Sequence, residues 1–233
     1  MAAGIDTGIL TELHGRELGL NADRELVTPQ GVVLPRESGR GLKVDIVNPT
    51  FSWADLLGNV AVDVVSAVNK PLFTAYKGSV KQFQFLVGDL VYCEYHIPHD
   101  YVLGTDVYIH VHWSHNATNV TAGGVVWELK AMYAKGHNQA QFSAEITASI
   151  TATSPTGAGG QYKHQISETA LSAAAGAGGL LVTGDLEPDG LILLRMELKT
   201  NTISPLTLPF AHYVDLHYQS TGIGTKNKSP AFN

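Results

Sequence analysis

Residues 106–113 read DVYIHVHW, and their strict alternation decides the fold class. Val107, Ile109, Val111 and Trp113 fall on one side, with Asp106, Tyr108, His110 and His112 on the other, which is the period of a strand with one buried face. Working outward, VKQFQFLV at 80–87 alternates in the same way. Gly88–Asp89 then reads as a tight turn, with residues 90–97 as its hairpin partner. VVWELKAMYA at 125–134 is rich in Val, Trp and Tyr and reads as a strand, as do FSAEITASITAT at 142–153 and residues 161–168. The nearly unbroken apolar run LILLRMEL at 191–198 predicts a central strand, and FAHYVDLHYQS at 210–220 is expected to close the sheet. Two segments read differently. TFSWADLLG at 50–58 predicts one helical turn, with Ser52 as N-cap and Gly58 as the stop. SAAAGAGG at 172–179 predicts a flexible link, because each glycine costs a helix about 1 kcal/mol. Roughly eight to ten strands at this spacing describe an all-β, antiparallel β-sandwich or jelly roll.

Composition agrees with that class. Charged residues make up 15% of the 233, and glycine numbers 24, a balance that suits strands and turns better than solvated helices. The formal charge of −6, with no basic patch, points away from nucleic acid and from anionic membranes as partners. No apolar run reaches the length of a membrane span, and the N-terminus lacks the pattern of a signal peptide. Residues 1–45 break every short apolar run with glycine or charge, which predicts an extended arm. The expected organisation is therefore an N-terminal arm at 1–45, a jelly-roll sandwich at 46–220 and an extended C-terminal tail at 221–233. The single cysteine, Cys93, lies on the same side of its strand as Val91 and Tyr95 and reads as a buried, inert thiol.

The histidines are the compositional oddity. His96, His99, His110, His112 and His115 fall within twenty residues. His110 and His112 share a strand face about 7 Å apart, a spacing that two ligands of one metal can use. The expected reading is plainer: these imidazoles fill a half-buried polar face and bond to carboxylates such as Asp106 and Glu94, or cover a subunit contact. No metal or other cofactor is expected. Should a metal bind, His110 and His112 are its ligands, helped by His96 or His115. The stretch GTDVYIHVH at 104–112 resembles the opening of a cupin metal motif, a glycine, five residues and His-X-His. It departs from that motif in having Asn116 and Ala117 where a glutamate is needed, and no histidine follows the later turn GDLEPDG. No nucleophile elbow, phosphate loop or HEXXH helix is present. A carboxylate pair for glycoside hydrolysis would come from Glu94 and Glu128 if their strands were neighbours. No catalytic role is expected.

Three stretches carry a family resemblance: HIPHDYVLGTDVYIHVHWSHN at 96–116, YAKGHNQAQF at 133–142 and HYQSTGIGTKNKSPAFN at 217–233. They resemble a family of uncharacterised proteins of tailed bacteriophages, over about residues 50–233. The resemblance implies a virion component, and for a small jelly roll it implies a cement or decoration protein on the capsid surface. Its partners would be the major capsid protein and copies of itself, as a dimer or trimer. The resemblance assigns no site residues. A tail, head-fibre or host-binding component is the alternative role, and a cupin-like metal-dependent enzyme is a further one. An arm of this length spans on the order of 100 Å when extended, enough to reach a neighbouring capsomer.

Overall fold

The computed structural model describes residues 51–58, 60–63 and 68–222, with two short backbone stretches further upstream. The chain divides into a unit of Met1–Pro49 and a unit of Thr50–Asn233. In the first, β1 (Gly19–Leu20) pairs antiparallel with β2 (Leu26–Val27). Most of the expected arm at 1–45, and the tail beyond Gly222, lie outside the described residues.

The second unit holds the remaining strands. In chain order they are β3 (Ser52–Leu57), β4 (Leu72–Lys77), β5 (Val80–Gln84), β6 (Leu90–His96), β7 (Tyr108–Ser114), β8 (Gly124–Ala134), β9 (Ile146–Thr153), β10 (Gln165–Ala170), β11 (Ser172–Ala173), β12 (Leu181–Val182), β13 (Leu191–Asn201) and β14 (Phe210–Ser220). One sheet runs β10-β7-β14-β5-β4, with β3 also pairing β14; the other runs β6-β13-β8-β9. The chain crosses between sheets from β5 to β6, from β6 to β7 and from β7 to β8, and again from β9 to β10 and from β13 to β14. That strand order is a jelly roll. The expected sandwich is therefore observed.

The alternation read in the sequence places the core. Ile109, Val111 and Trp113 of β7 face Trp127 and Leu129 of β8 and Ile192, Met196 and Leu198 of β13, all of them fully buried. Phe85 meets Trp127 edge to face, with centroids 5.3 Å apart at 89°, the arrangement that opposed ring quadrupoles favour. Cys93 is buried beside Val91 and Tyr95, as its strand position predicts.

Three sequence expectations change. Residues 50–58 form no helical turn: Ser52–Leu57 is β3, paired from Ser52↔Ser220 to Leu57↔Asp215. Ala54 and Leu56 pack on the core while Trp53 and Leu57 stand exposed, so the period is two and the open edge of β14 outweighs a cap signal. Gly88–Asp89 is a turn, but β5 and β6 are not hairpin partners; β5 pairs with β4 and β14, and β6 with β13. The Asp89 carboxylate accepts the Leu86 N–H at 2.6 Å, and Gly88 N–H and Asp89 C=O bond to Leu198. The turn thus hands the chain to the second sheet. Nor does β14 close its sheet: it is central, between β7 and the pair β5 and β3. The Ala/Gly stretch at 172–179 is no regular helix, as expected: Ser172–Ala173 is β11, and Ala175, Gly176, Gly178 and Gly179 take left-handed φ.

Candidate functional site

The outer face of the six-stranded sheet carries the chemistry. Because Ile109, Val111 and Trp113 take the inner face of β7, His110 and His112 point outward, yet they are only 8% and 4% exposed. Neighbouring side chains from β10, β14 and β3 close over them. Glu168 of β10 pairs in register with His110, and on the opposite side Asp215 of β14 does the same. Tyr213 stacks on the His112 ring, with centroids 3.9 Å apart at 21°. His212 sits where the β14 register shifts, and its Nε2 lies 2.8 Å from Ser114 Oγ.

The polar groups run as a chain across four strands. Glu168 Oε2 is 2.6 Å and His217 Nδ1 2.8 Å from His110 Nε2. On its other side, His110 Nδ1 is 3.4 Å from Asp215 Oδ2, and Asp215 Oδ1 is 2.9 Å from His112 Nε2. His112 Nδ1 then meets His164 Nε2 at 2.7 Å. Asp55 of β3 stands at the far end, 4.0 Å from His217 Nε2.

Burial sets the charges. It drives the His112 pKa down to about 4, helped by the neighbouring imidazoles of His164 and His110. It pushes the Asp215 carboxyl up to about 6, with His110 opposing and Asp55 adding to the rise. Burial also lowers the pKa of His212. The His112 imidazole is thereby held neutral, with a lone pair on one ring nitrogen, beside a carboxyl whose anionic form burial disfavours. Among the described residues, two overlapping trios bring their ligand atoms within 4.8 Å of one another: Asp55, His110 and His217, and His110, His112 and Asp215.

The five sequence-clustered histidines separate into three groups. His110 and His112 meet in the cluster above. His96 and His99 turn instead to Asp189, at 3.2 and 3.0 Å, where His137 also lies 2.6 Å from the carboxylate. His115 is buried against the Pro155 carbonyl at 2.9 Å. Neither of the expected carboxylates serves His110 or His112. Asp106 accepts hydrogen bonds from Ser172 and Thr183, and Glu94 belongs to the other sheet. The real partners, Glu168 and Asp215, are brought in by β10 and β14. His164 and His217 were likewise not singled out by the sequence; the signal for His217 was the run Tyr213, Asp215, His217 at alternate positions of a strand.

The cupin comparison loses its geometry, because the space between the sheets is filled by Trp113, Trp127 and their neighbours while the His-X-His pair faces away from it. Glu94 and Glu128 are not on neighbouring strands, since β13 runs between β6 and β8. Glu128 faces Arg195 and Lys199, at 3.4 and 3.6 Å. The outer face of the four-stranded sheet holds a shallow groove of about 550 Å³ between Tyr92, Glu94, Lys130, Met132 and Arg195. Among the described residues no helix is long and apolar enough to cross a membrane.

No family model and no curated protein matches this chain. Among solved structures, it is similar to the CBM22-1 and GH10 modules of an endo-1,4-β-D-xylanase of Clostridium thermocellum complexed with xylohexaose, at 10% identity and a TM-score of 0.34, over 75% of this chain and 27% of that one. It is also similar to the catalytic unit of the thermostable GH87 α-1,3-glucanase of Streptomyces thermodiastaticus, at 10% identity and a TM-score of 0.32, over 78% of this chain and 28% of that one. The chain thus spans less than a third of either protein, and likenesses this distant carry no function to it.

Proposed function

We propose that this chain is a structural component of a tailed-bacteriophage virion, a jelly-roll cement or decoration protein that binds the capsid surface. The observation that carries the reading is the β4–β5 hairpin and the turn after it. Leu72, Phe73, Val80, Leu86 and Val87 are each 55% exposed or more along this one segment. Apolar side chains concentrated in this way mark a contact surface. Among the described residues β4 is also the edge of its sheet, and a sheet edge offers its outer row of backbone N–H and C=O groups to a strand from a neighbour. The resemblance of residues 96–116, 133–142 and 217–233 to phage proteins supplies the partner class: the major capsid protein and further copies of this chain. In this reading the arm expected at residues 1–45 adds to the contact with the shell, and many copies engaging at once strengthen it. The role is architectural rather than catalytic.

Sedimentation with capsids assembled without this chain tests the reading. The wild-type protein pellets with the shells at a saturable ratio, and Phe73→Asp with Leu72→Lys abolishes this while leaving the free protein folded. Wild-type protein that stays in the supernatant contradicts it. A tail, head-fibre or host-binding role is the second reading, and there the same protein would co-purify with tails instead of shells.

A further inference from the structure

We propose that His110, His112 and Asp215 form a binding site for one divalent transition-metal ion of the zinc type, clamping β7 to β14 on the outer face of the six-stranded sheet. The inference stands independently of the virion reading.

The starting observation is an unmade bond. His112 Nε2 and Asp215 Oδ1 lie 2.9 Å apart, yet both atoms are buried with no hydrogen-bond partner among the described residues. A ring nitrogen and a carboxylate oxygen at that distance normally share a proton along the line between them. When they do not, their lone pairs are aimed elsewhere, and each buried group left so is a cost to the fold. A cation beside the line satisfies both. His110 adds a third donor, since its Nδ1 lies 3.4 Å from the other oxygen of the same carboxylate. Ligand atoms around a tetrahedral ion with bonds of about 2.0–2.1 Å sit about 3.3 Å apart; one ligand atom from each of His110, His112 and Asp215 lies within 4.8 Å of the others, and His112 Nε2 is 2.9 Å from Asp215 Oδ1.

The remaining ring nitrogens fit the same picture. A ligating histidine holds its second nitrogen on a fixed partner, which sets its tautomer and orientation. Here His112 Nδ1 is 2.7 Å from His164 Nε2, and His110 Nε2 is 2.6 Å from Glu168 Oε2. The strand geometry supplies the rest. His110 and His112 are two apart on β7, and Asp215 is the cross-strand partner of His110 on β14. Two imidazoles and a carboxylate are a donor set that suits zinc, and also iron, cobalt or nickel.

The test uses the purified full-length chain, stripped with a chelator, dialysed and titrated with zinc in a calorimeter, with elemental analysis of the product. The expected result is one zinc per chain and a melting temperature that rises with zinc concentration. Asp215→Asn and His112→Ala lose the binding. Glu168→Gln changes a half-exposed residue and so keeps the fold even if the buried variants do not. It weakens binding by about 10–100-fold, the usual effect of removing an orienting partner. Cobalt in place of zinc gives visible absorption in the wild type and none in Asp215→Asn. Wild-type protein that takes up no stoichiometric zinc overturns the assignment. So does uptake that survives both Asp215→Asn and Glu168→Gln, or uptake that His217→Ala abolishes while His112→Ala leaves it intact.

Discussion

Tyr95 of one sheet donates its hydroxyl to the Val214 carbonyl of the other, 3.1 Å away through the buried core. The same carbonyl accepts the Gly58 N–H at 3.2 Å, and Gly58 lies so close beneath the tyrosine that an added Cβ would stand 2.6 Å from its ring. Three elements are thereby keyed together at one point. Tyr95→Phe leaves the carbonyl one partner and should lower stability by about 1 kcal/mol. Gly58→Ala should cost more, because the clash falls on a ring held by the core. Urea denaturation of the two variants measures both, and a larger loss for Tyr95→Phe would contradict the packing described.

Gly123 and Gly159 should separate cleanly. At Gly123 the backbone has φ 90°, and a Cβ would run into the Thr202 carbonyl, whereas at Gly159 it meets open space. Gly123→Ala should therefore destabilise the protein by on the order of 3 kcal/mol or more. Gly159→Ala should be nearly neutral. Thermal melts of the two alanine variants provide the comparison.

Cys93 is 4% exposed, and burial pushes its thiol pKa up to about 12. The nucleophile is the thiolate, so the native protein should resist alkylation at mildly alkaline pH and take up one label per chain only in denaturant. Rapid labelling of the folded chain would show β6 to be open on its inner side.

Alkaline pH should unfold the protein before its surface chemistry would. Burial raises Tyr101 and Tyr218 from 10.0 to about 12, with Asp106 and Asp100 as adjacent negative charges. A folded-state pKa above the unfolded value means that the native state keeps a proton the unfolded chain gives up. That stabilisation is complete below pH 10 and disappears as the pH rises through about 12. Tyr95 and Tyr133 are raised in the same direction. Tyrosine ionisation followed by ultraviolet absorbance should rise together with loss of the near-ultraviolet dichroism. Smooth titration without unfolding would contradict the burial.

Local alternation made much of the fold legible. DVYIHVHW showed which side chains enter the core because its neighbours on both edges leave the period of two intact. The run at 191–198 announced a central strand because it is covered on both edges by β6 and β8. What sequence reading missed were pairings between distant segments. Ser52 and Gly58 imitate a helical cap and stop, and only the free edge of β14 turns the segment into β3. Gly88–Asp89 imitates a hairpin, and only the bonds to Leu198 turn it toward the other sheet. The site divides in the same way. His110 and His112 were visible as a pair, but Asp215 and Glu168 lie 105 and 58 residues from His110 and became neighbours only when β14 and β10 flanked β7.

The proposed architectural role rests on many copies standing side by side. Quantitative mass spectrometry of purified virions counts this chain against the major capsid protein. The account predicts hundreds of copies per particle, in a fixed ratio to the capsid protein, as repeated symmetric contact requires. A dozen copies or fewer, or none in the particle, would contradict it.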